Sequence, residues 1–275
     1  MKKQPIGFMD SGVGGLTALK EALQQLPNED LIFIGDQARL PYGEKPAEIV
    51  KGFAWQMTNF LLATDIKALV VACNTATAAA LPDLQAQLNI PVIGVIEPGS
   101  QMAAAITQNQ NVGVIATTGT IQSGAYAKQL GAITSQIKVT GLAVPEFVMM
   151  IEANQLTGDA VQARVNALLT PLQTSPIDTL ILGCTHFPLL APAIQAAVGH
   201  NVTLVDPAKA AVAKLKQILT AQNQLNTSQQ AGTLQTFTTG NVADFSTIAR
   251  QWLKNPTLVA QQATIQGEKN DGPNR

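Results

Sequence analysis

Two cysteines, Cys73 and Cys184, are the only thiols in this chain, and they stand in matching surroundings. Residues 68–81, ALVVACNTATAAAL, run from an apolar stretch through Cys73, Asn74 and Thr75 into a helix start; residues 179–190, TLILGCTHFPLL, do the same through Cys184, Thr185 and His186. A thiol at a helix N-terminus sits in the positive end of the helix dipole, which lowers its pKa and makes it usable as a base. Asn74, Thr75, Thr185 and Ser11 add amide and hydroxyl groups, and helix starts add free backbone N–H, so the set forms an anion site without arginine. A small carboxylate suits it. Held between two thiols, it would lose its α-proton to a thiolate on one face and regain one from a thiol on the other, giving the mirror image. The two groups must then start in opposite protonation states, which Asp10 near one thiol and His186 or Glu152 near the other could arrange.

The elements that would position these groups follow from pattern. Short apolar runs ending in glycine or a polar residue read as buried parallel strands, and ligands bind at the carboxyl ends of such strands. Strands are expected at residues 6–9, 31–34, 68–72, 92–96, 112–116, 137–142, 179–183, 202–205 and, last, 234–238. Helices are expected between them, including one after Asp10-Ser11-Gly12-Val13-Gly14-Gly15, one from Pro46 to about Ala63, one from Thr120 through Gly131, one capped by Asp159 and ending near Leu169, one on Pro188, and one from 242 to 253. In residues 143–159, AVPEFVMMIEANQLTGD, Val148, Met149, Ile151 and Glu152 could lie on one helical turn or in a loop. An internal repeat is visible: Cys73 is followed by Pro82 and Glu97-Pro98, Cys184 by Pro192 and Asp206-Pro207, and IGFMDSG stands before the first cysteine as VGVIATT does before the second. The fold class is α/β, with two pseudo-symmetric open parallel-sheet α/β domains facing each other across a cleft.

Each residue also has a plainer reading. A single strand-end cysteine is more often a small buried hydrophobe, His186 a satisfied core histidine, Asp10 a helix cap, Glu152 a surface charge and Tyr42 packing, although a Pro41-Tyr42-Gly43 turn is an uncommon place for core. The repeated polar context is what favours chemistry. Gly12-Val13-Gly14 with Asp36 invites a dinucleotide reading, but Thr17 stands where the third glycine belongs. No lysine lies in the motifs to hold pyridoxal phosphate.

Composition narrows the class. A net charge of -1 without a basic run gives no footprint for nucleic acid or an anionic membrane. The N-terminal MKKQPIGFMDSG turns polar before a signal-peptide core could form, no apolar run reaches membrane-spanning length, and two free thiols suit a reducing, cytoplasmic setting.

MDSGVGGL, PYG, ACNTA, the Glu152 region and LGCTHFPLL, in this order and spacing, resemble the cofactor-independent glutamate racemases over nearly the whole chain up to Leu253. The resemblance implies Cys73 and Cys184 as the two acid/bases, with Asp10, Glu152 and His186 assisting, and neither metal nor organic cofactor. Substrate contacts carry over to Asp10-Ser11, Pro41-Tyr42-Gly43, Asn74-Thr75 and Thr185-His186. It implies glutamate as substrate, a role supplying D-glutamate for peptidoglycan, and a first domain completed by the C-terminal region: residues 1–97 with 209–265 carrying Cys73, and residues 98–208 carrying Cys184. The polar composition from Gln266 separately reads 266–275 as a disordered tail. A homodimer is left open. His186-Phe187-Pro188 departs from the family, where a tyrosine is common. Aspartate racemisation, a related isomerisation or decarboxylation, and simple carboxylate binding are the competing functions.

Overall fold

Runs such as Ile6–Asp10 and Thr179–Gly183 are buried along their whole length, as strands covered on both faces must be. In the computed structural model, which describes residues 2–265, every strand pair is parallel. The expected tail at 266–275 lies outside the described residues. One sheet contains β1 (Ile6–Asp10), β2 (Leu31–Gly35), β3 (Ala68–Val71), β4 (Val92–Gly94), β9 (Leu234–Thr238) and β10 (Gln261–Gln262) in the order β10-β9-β2-β1-β3-β4. The other contains β5 (Asn111–Ala116), β6 (Lys138–Ala143), β7 (Thr179–Gly183) and β8 (Thr203–Val205) in the order β6-β5-β7-β8.

The orders β2-β1-β3-β4 and β6-β5-β7-β8 are the same pattern. In each, the first strand is central and the winding reverses beside it, so a crevice opens at the carboxyl ends of β1 and β3 and again at those of β5 and β7. The sequence repeat is a repeat of topology.

Helices fill both faces of each sheet. On the first, α1 (Leu16–Gln25), α10 (Pro207–Ala221) and α11 (Val242–Leu253) bring Leu16, Leu19, Leu215 and Phe245 to one side; α2 (Ala47–Leu62) and α3 (Asn74–Gln87) bring Val50, Met57, Leu61 and Leu84 to the other. On the second, α7 (Glu146–Glu152), α8 (Asp159–Gln173) and α9 (Ala191–Val198) cover one face, and α4 (Ile96–Ile106), α5 (Thr118–Gln122) and α6 (Ala125–Ile133) lie over the other. The chain crosses between sheets at α4 and α10, which pack together where Gly99 meets Pro207; a Cβ on Gly99 would stand 2.8 Å from the proline's Cβ. Among the described residues no helix is long and apolar enough to cross a membrane.

Several expected elements differ. The helix expected to run from Thr120 through Gly131 is broken at Gly124, whose φ of +63° ends α5 and restarts the chain as α6. Asp159 is not the cap: Gly158, at φ +105°, turns the chain in, and α8 runs on past Pro171 to Gln173. The stretch expected as a strand over 92–96 stops at Gly94 and α4 starts at Ile96, because Pro98 falls in the first turn, where no N–H is needed. After Cys184 comes a 3-10 turn, Phe187–Leu190, so Pro188 opens that turn while Pro192 opens α9; Pro82, its counterpart in the repeat, lies inside α3. The ambiguous segment is helical as α7, and β9 is not the last strand, since β10 pairs outside it.

Candidate active site

Asp10 ends β1 and is fully buried. Its Oδ2 accepts from the Gly12 N–H at 3.1 Å, and its Oδ1 accepts from the Thr185 hydroxyl of the other sheet's unit at 3.3 Å. Burial raises its pKa to about 6, against the pull of the His186 charge and of the Gly12 and Gly15 N–H groups.

Cys73 follows β3 and caps α3, its sulfur accepting from the Ala76 N–H at 3.4 Å and lying 3.6 Å from Ser11 Oγ. The expectation that the helix start lowers this pKa is overturned: burial pushes the thiol up to about 12, the Asp10 charge adds to the rise, and the N–H of Ala76 offsets only part. Cys73 therefore rests as a neutral thiol.

Cys184 follows β7. Its Sγ lies 3.8 Å from His186 Nδ1, and His186 Nε2 lies 2.7 Å from Glu152 Oε1 on α7. Burial by itself would lower the imidazole pKa, but the hydrogen bonds and negative charge of Cys184 and Glu152 outweigh it and raise the value to about 10. One thiol thus has a carboxylate for a neighbour and the other an imidazolium.

Both sulfurs line one small cavity, together with Ser11, Pro41, Tyr42, Gly43, Asn74, Thr75, Thr185 and His186. Of the site residues read from sequence, only Asp10 and Glu152 stand outside that lining, Asp10 bonded to Thr185 and Glu152 to His186. Tyr42 is core despite its turn: its hydroxyl donates to the buried Asp36 carboxylate and its ring packs on Phe53, 5.5 Å between centroids. That hydroxyl is committed to the scaffold.

The two units approach so closely that glycine is required. A Cβ on Gly14 would collide with Thr185 and His186, and one on Gly43 with Thr117. The glycine turn that invited a dinucleotide reading is filled by the other unit, and Thr17, at the missing third glycine, places its hydroxyl 2.9 Å from the Thr185 carbonyl. Further groups had escaped the sequence reading. Thr75 Oγ1 lies 3.0 Å from Thr117 Oγ1 and 3.1 Å from Thr120 Oγ1, and Tyr126 donates to Asn74 Oδ1 at 2.6 Å. Thr117 had a visible signal, since ATT repeats the place of DSG; Tyr126 had none.

Residues 6–215 match the family model described as Asp/Glu/Hydantoin racemase. The chain is 68% identical over its full length to the full length of a glutamate racemase of Latilactobacillus sakei. Among solved structures, glutamate racemase isoform RacE1 of Bacillus anthracis superposes with a TM-score of 0.92 at 42% identity, covering 96% of this chain and 98% of that one. The Francisella tularensis glutamate racemase in complex with D-glutamate superposes with a TM-score of 0.90 at 34% identity, covering 98% of this chain and 100% of that one.

Proposed function

The chain belongs to the Asp/Glu/hydantoin racemase family, and from that premise we propose that it is a glutamate racemase, an isomerase interconverting L- and D-glutamate through its two thiols. The observation that carries this reading is the cavity to which each sheet delivers one cysteine, one beside a carboxylate and the other beside an imidazolium. In one direction the thiolate on one side takes the α-proton and becomes a thiol, while the thiol opposite gives its proton to the α-carbon and becomes the thiolate. The pair ends with its protonation states exchanged.

Asn74, Thr75, Thr185 and the start of α3 are suited to hold the α-carboxylate and to stabilise the charge that builds on it as the C–H bond breaks. Asp10 and the His186–Glu152 pair are assigned to govern the charge states of the thiols. Resemblance to the family supports a cytoplasmic enzyme that needs no cofactor and supplies D-glutamate for peptidoglycan. It also makes a homodimer the assembly to test by light scattering. We set the unit boundaries at 97/98 and 208/209, at the heads of α4 and α10, where the chain crosses between sheets.

Proton NMR of L-glutamate and of D-glutamate in deuterated water, with reduced protein and no added cofactor, tests the reading. The α-proton signal should vanish from both enantiomers while circular dichroism decays to zero. Exchange of aspartate alone would move the substrate, and no exchange of any amino acid by folded protein would overturn the enzyme.

A further inference from the structure

Asn74 is the first residue of α3 and lines the cavity beside Cys73. Its side-chain amide can face a ligand in two ways that differ completely in sign: the NH₂ group offers two donors to a carboxylate, the carbonyl oxygen repels one. Nothing within α3 decides between them. The deciding contact comes from the other unit. Tyr126, the second residue of α6 and almost fully buried, directs its hydroxyl to Asn74 Oδ1 at 2.6 Å.

We infer that Tyr126 is a positioning residue for substrate binding: by donating to Asn74 Oδ1 it locks the amide so that Nδ2 and both its protons face the carboxylate. This rests on the reading above that Asn74 receives a glutamate carboxylate. Three features suit Tyr126 to the task. Its ring is wedged against the end of β7, where a Cβ on Gly183 would stand 3.1 Å from Tyr126 Cε2, so the hydroxyl has little freedom. Burial, with the nearby charges of Asp206 and Cys184, keeps the phenol protonated far above its usual range, so it remains a donor whichever thiol is ionised. The break at Gly124 starts α6 just ahead of it. The bond also joins the units, so the donor face of Asn74 is set only when the second unit is docked on the first.

Tyr126→Phe removes the hydroxyl and keeps the ring. The expected result is a KM for both enantiomers raised about tenfold, the usual scale for leaving a buried acceptor without its donor, with kcat little changed and thermal stability near wild type. Asn74→Ala should raise KM at least as much, and adding Tyr126→Phe to it should change nothing beyond about twofold, because two residues acting through one contact are not additive. Unchanged KM in Tyr126→Phe, or effects that add in the double variant, would overturn the inference while leaving the racemase reading intact. A wild-type KM in Asn74→Ala would remove the underlying carboxylate assignment as well. A measurement on unaltered protein guards against a variant that fails to fold. The Asn74 NH₂ resonances, identified by their loss in Asn74→Ala, should shift and exchange more slowly when D-glutamate binds. Insensitive resonances would remove the carboxylate contact of Asn74, and with it the role inferred for Tyr126.

Discussion

The carboxyl ends of β3 and β7 are equivalent by topology and opposite by electrostatics. Each delivers a cysteine beside a winding reversal, in sheets of the same central order. At the first, Cys73 caps an α-helix under the buried carboxyl of Asp10 and is pushed up to about 12; at the second, Cys184 enters a 3-10 turn and meets an imidazolium held at about 10. A repeated fold supplies the symmetry that two-sided proton transfer needs, because the α-carbon must be reached from both faces. Departures from the repeat supply the asymmetry it also needs, since two thiols in identical surroundings would have no preferred acid and base. In this molecule, geometry is shared and charge is not.

Removing either thiol breaks the comparison most severely. Cys73→Ser and Cys184→Ser should each lower racemisation by about 10²–10⁴-fold, the range general acid–base groups supply. Each variant keeps one competent side, so solvent exchange of the α-proton should survive for one enantiomer in the first variant and for the other in the second. NMR in deuterated water reads this directly. Both variants retaining exchange with the same enantiomer would show that the sites are not opposed.

Next in size are the groups that make the two sides unlike. With Asp10 titrating near 6 and His186 near 10, kcat/KM should rise with pH through about 6 and fall through about 10. Asp10→Asn should abolish the acid limb and keep the alkaline one; His186→Asn should do the reverse, each costing less at the optimum than removal of a thiol. If either substitution moved both limbs together, the two neighbours would not be serving separate thiols.

How much of this could be read from the chain depends on whether a signal is local. Buried strands were visible because four or five apolar residues closed by glycine admit few other structures, and the cysteines because their context occurs twice. Tyr42 was misleading: a Pro-Tyr-Gly turn signals surface, yet its hydroxyl reaches the buried carboxylate of Asp36, just past β2, and its ring packs on Phe53 of α2. The contacts of Thr117 and Tyr126 join different units, and no periodicity reports a hydrogen bond spanning 52 residues. The Cys73 pKa failed for a related reason. The helix-dipole rule sees one turn of chain, whereas burial is set by everything packed around the sulfur, and here burial wins.

The smallest effect tests the outermost part of the asymmetry. Glu152 keeps 19% of its side chain exposed, so its charge acts on His186 through partly screened surroundings. Glu152→Gln preserves an oxygen for Nε2–H and removes the charge. The rate should fall only about threefold, within the span of a single modest hydrogen-bond contribution, but the alkaline limb should move below the wild-type value near 10. The same change should appear in stability, with a definite sign. Folding raises the His186 pKa from 6.5, so the folded state binds its proton more tightly than the unfolded one; that stabilisation is complete below pH 6.5 and is lost as pH rises through about 10. Melting temperatures of wild type and Glu152→Gln, measured from pH 6 to 10.5, should therefore differ most at neutral pH, wild type higher, and converge as His186 loses its proton in both. A constant offset across that range would mean that Glu152 contributes packing alone, and that the charge on His186 is sustained without help from α7.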